Sequence, residues 1–254
     1  MKSTTGRKWF FPLTTSLATI LALSLSPPPL QADAILDFNL TSPTTGTISY
    51  AGGANPLVGS NISVDSVVGL GTSANDGVTR NLFNAILTFT TGNLSGFVAN
   101  KSWDFSGGGS ITLVGGVDLN GDGDATDPGD IPTGTALLTG SFDSATVMAS
   151  SHGFRVAVAA FTDTKNDALL AFYDLPLGQQ SSNLGNFNIS FFAAASPPHS
   201  FRSRIVLSGD VTNTCIGDCT GGGPGGSVPE PASLTLVGWG FITMAGIARR
   251  KRKK

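Results

Sequence analysis

The sequence predicts an all-β, antiparallel, sandwich-like domain held between an N-terminal signal peptide and a single C-terminal transmembrane helix. Three observations carry this. Apolar and polar residues alternate in short runs. Breaks rich in Gly, Asn, Asp and Ser recur about every eight to twelve residues. No strand-and-long-amphipathic-helix rhythm of the βαβ kind is present.

Taken in order, Ile35 to Leu40 is the first expected strand, and Gly46 to Tyr50 the second, entered through Ser42-Pro43. Asn61 to Val68 follows, with apolar Ile62 and Val64 and then a slip to Val67. Ala85 to Thr90, Gly96 to Asn100 and Ser110 to Val114 add further strands. Ala136 to Phe142 and Ala145 to Ala149 read as a hairpin turning at Asp143-Ser144. Gly153 to Phe161 is the clearest strand, with Phe154, Val156, Val158 and Ala160 on one face. Ala168 to Asp174 is either a helical turn or a strand. Asn186 to Ala193 and Arg202 to Leu207 complete the set. Repeated antiparallel strands of this length suit a sandwich. The glycines of Gly52-Gly53, Gly69-x-Gly71, Gly107-Gly108-Gly109 and Gly115-Gly116 are expected in turns, where positive φ is needed. None precedes a Lys-Ser/Thr pair, so none forms a phosphate loop.

The two ends differ from this middle. Lys2, Arg7 and Lys8 precede an apolar run from Trp9 to Leu25, and Ala32-Asp33-Ala34 offers a cleavage site. Residues 1–34 therefore read as a secretory signal peptide. Signal peptidase and the secretory translocon are its partners, with cleavage between Ala34 and Ile35. The alternative is an uncleaved anchor. At the other end, Ala232 to Ala248 holds no charge, and Arg249 to Lys254 is wholly cationic. Seventeen residues are the lower limit for crossing a hydrocarbon core of about 30 Å. The terminal cations favour retention on the cytoplasmic side. The alternative is an apolar helix docked on a soluble core.

Once both ends are set aside, residues 35–228 carry six Lys and Arg against fifteen Asp and no Glu, a formal charge of −9. Nucleic-acid binding relies on clustered cations and is not expected. The domain proper is placed at 35–210, and a Cys- and Gly-rich linker at 211–228. Cys215 and Cys219 are the only cysteines. In an oxidising compartment they suit a small disulfide loop. Free thiols and a metal site are the other readings.

One constellation points to chemistry. Asp118, Asn120 and Asp122 occupy positions 1, 3 and 5 of an EF-hand-like loop, and Gly123 occupies position 6, where a sharp turn is required;. Asp124 is suited to position 7. Position 12 is Gly129 rather than Glu, so Asp127 or Asp130 must supply the missing ligand for Ca²⁺. A hydrated acidic loop is the competing reading. His152 and His199 lie in turns, and no Gly-x-Ser-x-Gly elbow is present;. No catalytic residue is assigned, and the chain is not expected to be an enzyme.

The tail also carries a resemblance. Val228-Pro229-Glu230-Pro231-Ala232-Ser233-Leu234, the apolar span and Ala248-Arg249-Arg250-Lys251-Arg252-Lys253 closely resemble the PEP-CTERM sorting signal. The resemblance implies export from a Gram-negative bacterium and transient anchoring in the inner membrane. An exosortase-like membrane enzyme would then recognise Pro229, Glu230 and Pro231 and process residues 229–254. It further implies a structural or adhesive role at the cell surface or in a biofilm matrix, with exopolysaccharide or other matrix components as partners. Two rivals stand beside it. One is a carbohydrate-binding module with structural calcium, which needs an exposed aromatic platform around Trp103. The other is a secreted hydrolase, which needs two close carboxylates or a His beside a Ser and an Asp.

Overall fold

A computed structural model describes residues 34–150, 153–157, 161–177 and 183–215. The signal peptide, Pro229-Glu230-Pro231, the apolar span and the basic end lie outside these residues. Among the described residues no helix is long and apolar enough to cross a membrane.

The all-β, antiparallel class is borne out. Among the described residues twelve strands run in chain order: β1 Ile35–Leu40, β2 Thr47–Tyr50, β3 Pro56–Ser63, β4 Ser66–Leu70, β5 Thr79–Val98, β6 Ser102–Val117, β7 Ile131–Ser150, β8 Gly153–Ala157, β9 Phe161–Lys165, β10 Asn183–Phe192, β11 Phe201–Arg202 and β12 Ile205–Cys215. One short helix, α1 Asp167–Phe172, lies between β9 and β10. All named strand pairs are antiparallel.

The ladder is continuous rather than split into two hydrogen-bonded sheets. Pairing passes from β5 through β4, β1, β12, β10, β8, β7 and β6, and β6 pairs β5 again, closing a ring. The second half of β5 also pairs β3, from which β2 and then β11 branch. The long strand β5 makes this possible by changing partner part-way: it meets β4 at 79–81 and β3 at 86–93. β7 keeps a single register, with β9 at 138–142 and β8 at 146–150. Bulges bend the long strands. The β6 register shifts between Gly108 and Ile111. There Gly109 has φ +71°, and a Cβ would stand 1.9 Å from the Thr90 carbonyl oxygen, so only glycine fits;.

Three expectations are corrected by these strands. Asn61 to Val68 spans the end of β3 and the start of β4, with the break at Val64-Asp65. The supposed hairpin at Asp143-Ser144 is uninterrupted β7. Its buried side changes parity between Phe142 and Ala145, and a slip in alternation looks the same whether a turn or a twist produces it. Gly107 to Gly109 form a bulge inside β6, not a turn between strands. In addition, β12 continues through Val211 to Cys215, paired with both β1 and β10, where a linker was expected. Residues 168–172 are helical. Asn166 caps α1, its side-chain oxygen accepting from the N–H groups of Ala168 and Leu169 at 3.0 and 3.3 Å;.

Inward positions of the strands form one apolar cluster. Its middle is aromatic: the rings of Phe89 and Phe187 meet edge-on at 4.9 Å, and Phe142 lies 5.9 Å from Phe89. A second aromatic group, Tyr50, Trp103, Phe105, Phe191 and Phe201, closes the end where β5 turns into β6. Under the opposite end, Tyr173 is fully buried beside α1. Its hydroxyl lies 2.9 Å from the Val78 carbonyl and 3.3 Å from that of Val67. Burial, against a weaker pull from Arg80, pushes its pKa up to about 12;.

Candidate metal centre

Residues 118–130 join β6 to β7, and the fold of this loop follows from its Asx residues. Asn120, Asp122 and Asp124 each accept the N–H two residues ahead, from Asp122, Asp124 and Thr126, at 2.9, 2.9 and 3.0 Å. This is the Asx-turn habit of short polar side chains, repeated three times. Asp118 is 2 % exposed. Its two oxygens accept from the N–H groups of Gly121 and Gly123, the latter at 2.9 Å. Gly123 has φ +95°, the left-handed turn that position 6 requires. The loop's far end returns through Asp130, whose Oδ1 accepts from Leu119 N–H at 2.8 Å and Asn120 N–H at 3.3 Å.

The result is convergence. Asp118, Asp122 and Asp130 each bring a carboxylate oxygen within 4.8 Å of the others. Asp130 is only partly buried as a residue, yet its Oδ2 is buried and no described donor reaches it. Hard oxygen ligands at such spacing suit Ca²⁺. Of the two residues expected to stand in for position 12, Asp130 is the one whose carboxylate converges with Asp118 and Asp122. Asp127 instead is exposed and faces Asp122. The hydrogen bond and charge of Asp122 hold the Asp127 carboxyl above its ordinary range. The backbone N–H of Asp124, together with the Asp127 hydrogen bond, holds Asp122 below it. Asp124 is exposed and is not among the converging carboxylates, while exposed Asn120 donates its Nδ2–H to Asp122 Oδ2 at 3.1 Å.

Sequence reasoning missed one neighbour of the loop and one buried ion pair elsewhere. Arg80 on β5 packs its guanidinium 5.1 Å over the Phe172 ring, and a Cβ on Gly121 would stand 2.9 Å from it, so a cation lies against the acidic loop. On β9, Asp163 and Lys165 form a buried ion pair, Nζ to Oδ2 3.1 Å, with side chains 0 and 4 % exposed. Burial raises the Asp163 pKa and lowers that of Lys165; each partner's charge opposes the shift without cancelling it. Alternation in Phe161-Thr162-Asp163-Thr164-Lys165 puts both on the face of buried Phe161. That period was visible in the sequence.

The other expected residues are placed as follows. Trp103 is fully buried; it packs at 4.9 Å on Phe201 and donates its Nε1–H to the His199 carbonyl at 3.2 Å. Tyr50 and Tyr173 are buried too. The aromatic platform that a sugar-binding reading needs around Trp103 is therefore inside the core. His199 Nδ1 lies 3.0 Å from the Ser196 carbonyl, so it is the donor there. His152 lies outside the described residues. Asp37 on β1 and Asp210 on β12 are neighbouring carboxylates. Burial first, and then the Asp210 charge, raises the Asp37 pKa. They stand diagonally across the β1–β12 ladder, opposite Thr212 and Asn39 in register. Cys215 ends β12, and Cys219 lies outside the described residues. Ala34 is buried just before β1; Ala32 lies outside.

Geometry and composition thus define an antiparallel β protein with an acidic inter-strand loop. At the chain's end, residues 227–253 match the PEP-CTERM protein-sorting motif. The match covers the tail alone, and it marks an exported protein of Gram-negative type, processed through an exosortase-type enzyme. No curated protein and no solved structure matches the chain.

Proposed function

We propose that the chain is a non-enzymatic surface or matrix protein. It is delivered through its N-terminal signal peptide, held briefly in the inner membrane by residues 232–248, and released to the cell surface or biofilm matrix after recognition of Pro229-Glu230-Pro231. The observation that carries this reading is the sorting motif at 227–253 on a body that is mostly antiparallel β-sheet. The test is the intact mass of the protein from the surface and medium of its native cells, beside Glu230→Ala. A mature chain starting at Ile35 and ending near Pro231, lost in the variant, supports it. A full-length C-terminus in both overturns it. The adhesive role is tested by matrix yield and cell attachment in a deletion strain, and unchanged attachment would remove that part.

Ca²⁺ serves the domain as a structural ion at residues 118–130. Support comes from the convergence of Asp118, Asp122 and Asp130 and from the buried, donorless oxygen of Asp130. The ion would relieve repulsion between these carboxylates. Calorimetric titration with Ca²⁺ should show binding that Asp130→Asn weakens. A flat titration, with a melting temperature unmoved by millimolar Ca²⁺, would leave a hydrated acidic loop instead.

A further inference from the structure

Asn120-Gly121 is the one Asn-Gly pair in the chain, and Asn120 is exposed to solvent. Such a pair can react with itself, the glycine nitrogen attacking the side-chain amide carbon of the asparagine. Glycine leaves that nitrogen unshielded because it has no β-carbon. The other asparagines are each followed by a residue that carries one. Sequence alone supplies the reacting pair. The structure adds a group at each atom whose charge changes.

The attacking atom is the Gly121 nitrogen, and its N–H donates to Asp118 Oδ1. Asp118 is buried, and its other oxygen is fixed by Gly123 N–H at 2.9 Å. A carboxylate held against the proton of a nucleophile is the arrangement of a general base. The oxygen that gains negative charge is Asn120 Oδ1, which accepts from Asp122 N–H at 2.9 Å. That donor is placed by the backbone before any charge develops, as in an oxyanion hole. The departing atom is Asn120 Nδ2, which donates to Asp122 Oδ2 at 3.1 Å. Asp122-Gly123 repeats the pattern, with Gly123 N–H on Asp118 and Asp124 N–H on Asp122 Oδ1 at 2.9 Å. An ionised carboxylate resists a nucleophile, so the amide of Asn120 is the reactive group of the two.

We propose that residues 118–122 form a self-deamidating site, in which Asp118 takes the Gly121 amide proton and the freed nitrogen closes on Cγ of Asn120. The bond from Gly121 N to Asn120 Cγ forms, and the Cγ–Nδ2 bond breaks. Nδ2 leaves as ammonia, and the proton taken by Asp118 returns to it through solvent. Water then opens the five-membered imide at either carbonyl, leaving aspartate or isoaspartate at position 120. Water is the sole co-reactant. Aspartate adds one negative charge beside Asp118, Asp122 and Asp130. Isoaspartate also lengthens the backbone by a methylene and removes the Asx turn onto Asp122. The loop thereby changes with age and without an enzyme, and this holds apart from the calcium reading.

The test follows the full-length protein at neutral pH with a chelator, folded or in guanidinium chloride. After digestion, the peptide holding Asn120 is followed by its mass gain and by chromatography of the two products. The folded chain should react at least about tenfold faster than the unfolded one, through the placed base and donor. Asp118→Asn should bring the folded rate down to the unfolded rate. Asn120→Gln should leave the peptide unchanged, because its longer side chain closes a larger ring. A folded rate equal to or below the unfolded one overturns the proposal, since the loop then only holds Asn120 still; this comparison needs no variant. A folded rate that Asp118→Asn leaves unchanged overturns it too, as does a mass gain that persists in Asn120→Gln. The chelator keeps these readings separate from any effect of Ca²⁺.

Discussion

The two ends of β6 make opposite use of one strand. At Ser102 the strand begins beside exposed Phe97, Val98 and Lys101, above a buried aromatic group. At Val117 it runs into a loop of carboxylates, one of them almost wholly buried. Between them the side chains of Ile111 and Leu113 enter the same apolar core. The contrast teaches that the interior sets the strands, while the connections carry the chemistry. The apolar end is held by ring packing, which is indifferent to salt and metal. The acidic end is held by Asx turns, which leave carboxylate oxygens facing one another.

Breaking the aromatic end should have the largest effect. Trp103→Ala should cost about 3–5 kcal/mol and shift denaturant midpoints equally with and without Ca²⁺. A calcium-dependent loss would show that the two ends are coupled. Next comes the ion pair on β9. Lys165→Met should cost about 3 kcal/mol near neutral pH, because it leaves the Asp163 charge buried without its cation. Burial already raises the Asp163 pKa above its unfolded value. A group raised in this way contributes stability that is fully present below the unfolded pKa and is lost as pH rises through the folded one. The variant's melting temperature should therefore recover towards wild type as pH falls to the ordinary Asp range. A deficit that stays constant with pH would mean that Asp163 is not the source.

Gly109→Ala sits between the ends. Forced positive φ and contact with the Thr90 carbonyl should cost about 2 kcal/mol, read from chemical denaturation. A neutral result would show that the bulge is not needed to bend β6. At the acidic end, Asp118→Asn should cost about 1–2 kcal/mol without Ca²⁺, through a weakened cap on the N–H groups of Gly121 and Gly123. It should also erase any rise in melting temperature that Ca²⁺ produces. The smallest change in stability, within about 0.5 kcal/mol, is expected for Phe97→Ser with Val98→Ser. A large loss there would place those side chains in the core rather than at the surface.

The strands were legible wherever the buried face kept one parity. Ile35–Leu40 and Thr47–Tyr50 stand where alternation placed them. The 118–130 loop was legible because Asp, Asn and Gly at fixed offsets state their turns locally. Legibility failed at Val64-Asp65 and at Phe142 to Ala145, where alternation slips and a turn, a bulge and a twist leave the same trace. It failed also at Val211 to Cys215, whose Thr- and Asn-rich residues resemble a linker until two neighbouring strands supply their hydrogen bonds. Asp163 and Lys165 were passed over because charged residues are ordinarily outside.

By itself, the sequence determined the β class, the acidic balance of the middle and the sorting motif at its end. These are properties of composition, period and contiguous residues, which need no partner distant in the chain. Only the tertiary structure decided that the ladder closes from β5 back to β6 and that Asp130 rather than Asp127 joins Asp118 and Asp122. It alone brought Phe192 and Ile205 to the same end as Phe97. Each of these joins residues far apart in sequence, and their meeting depends on strand register, which is fixed by the summed burial of the whole core.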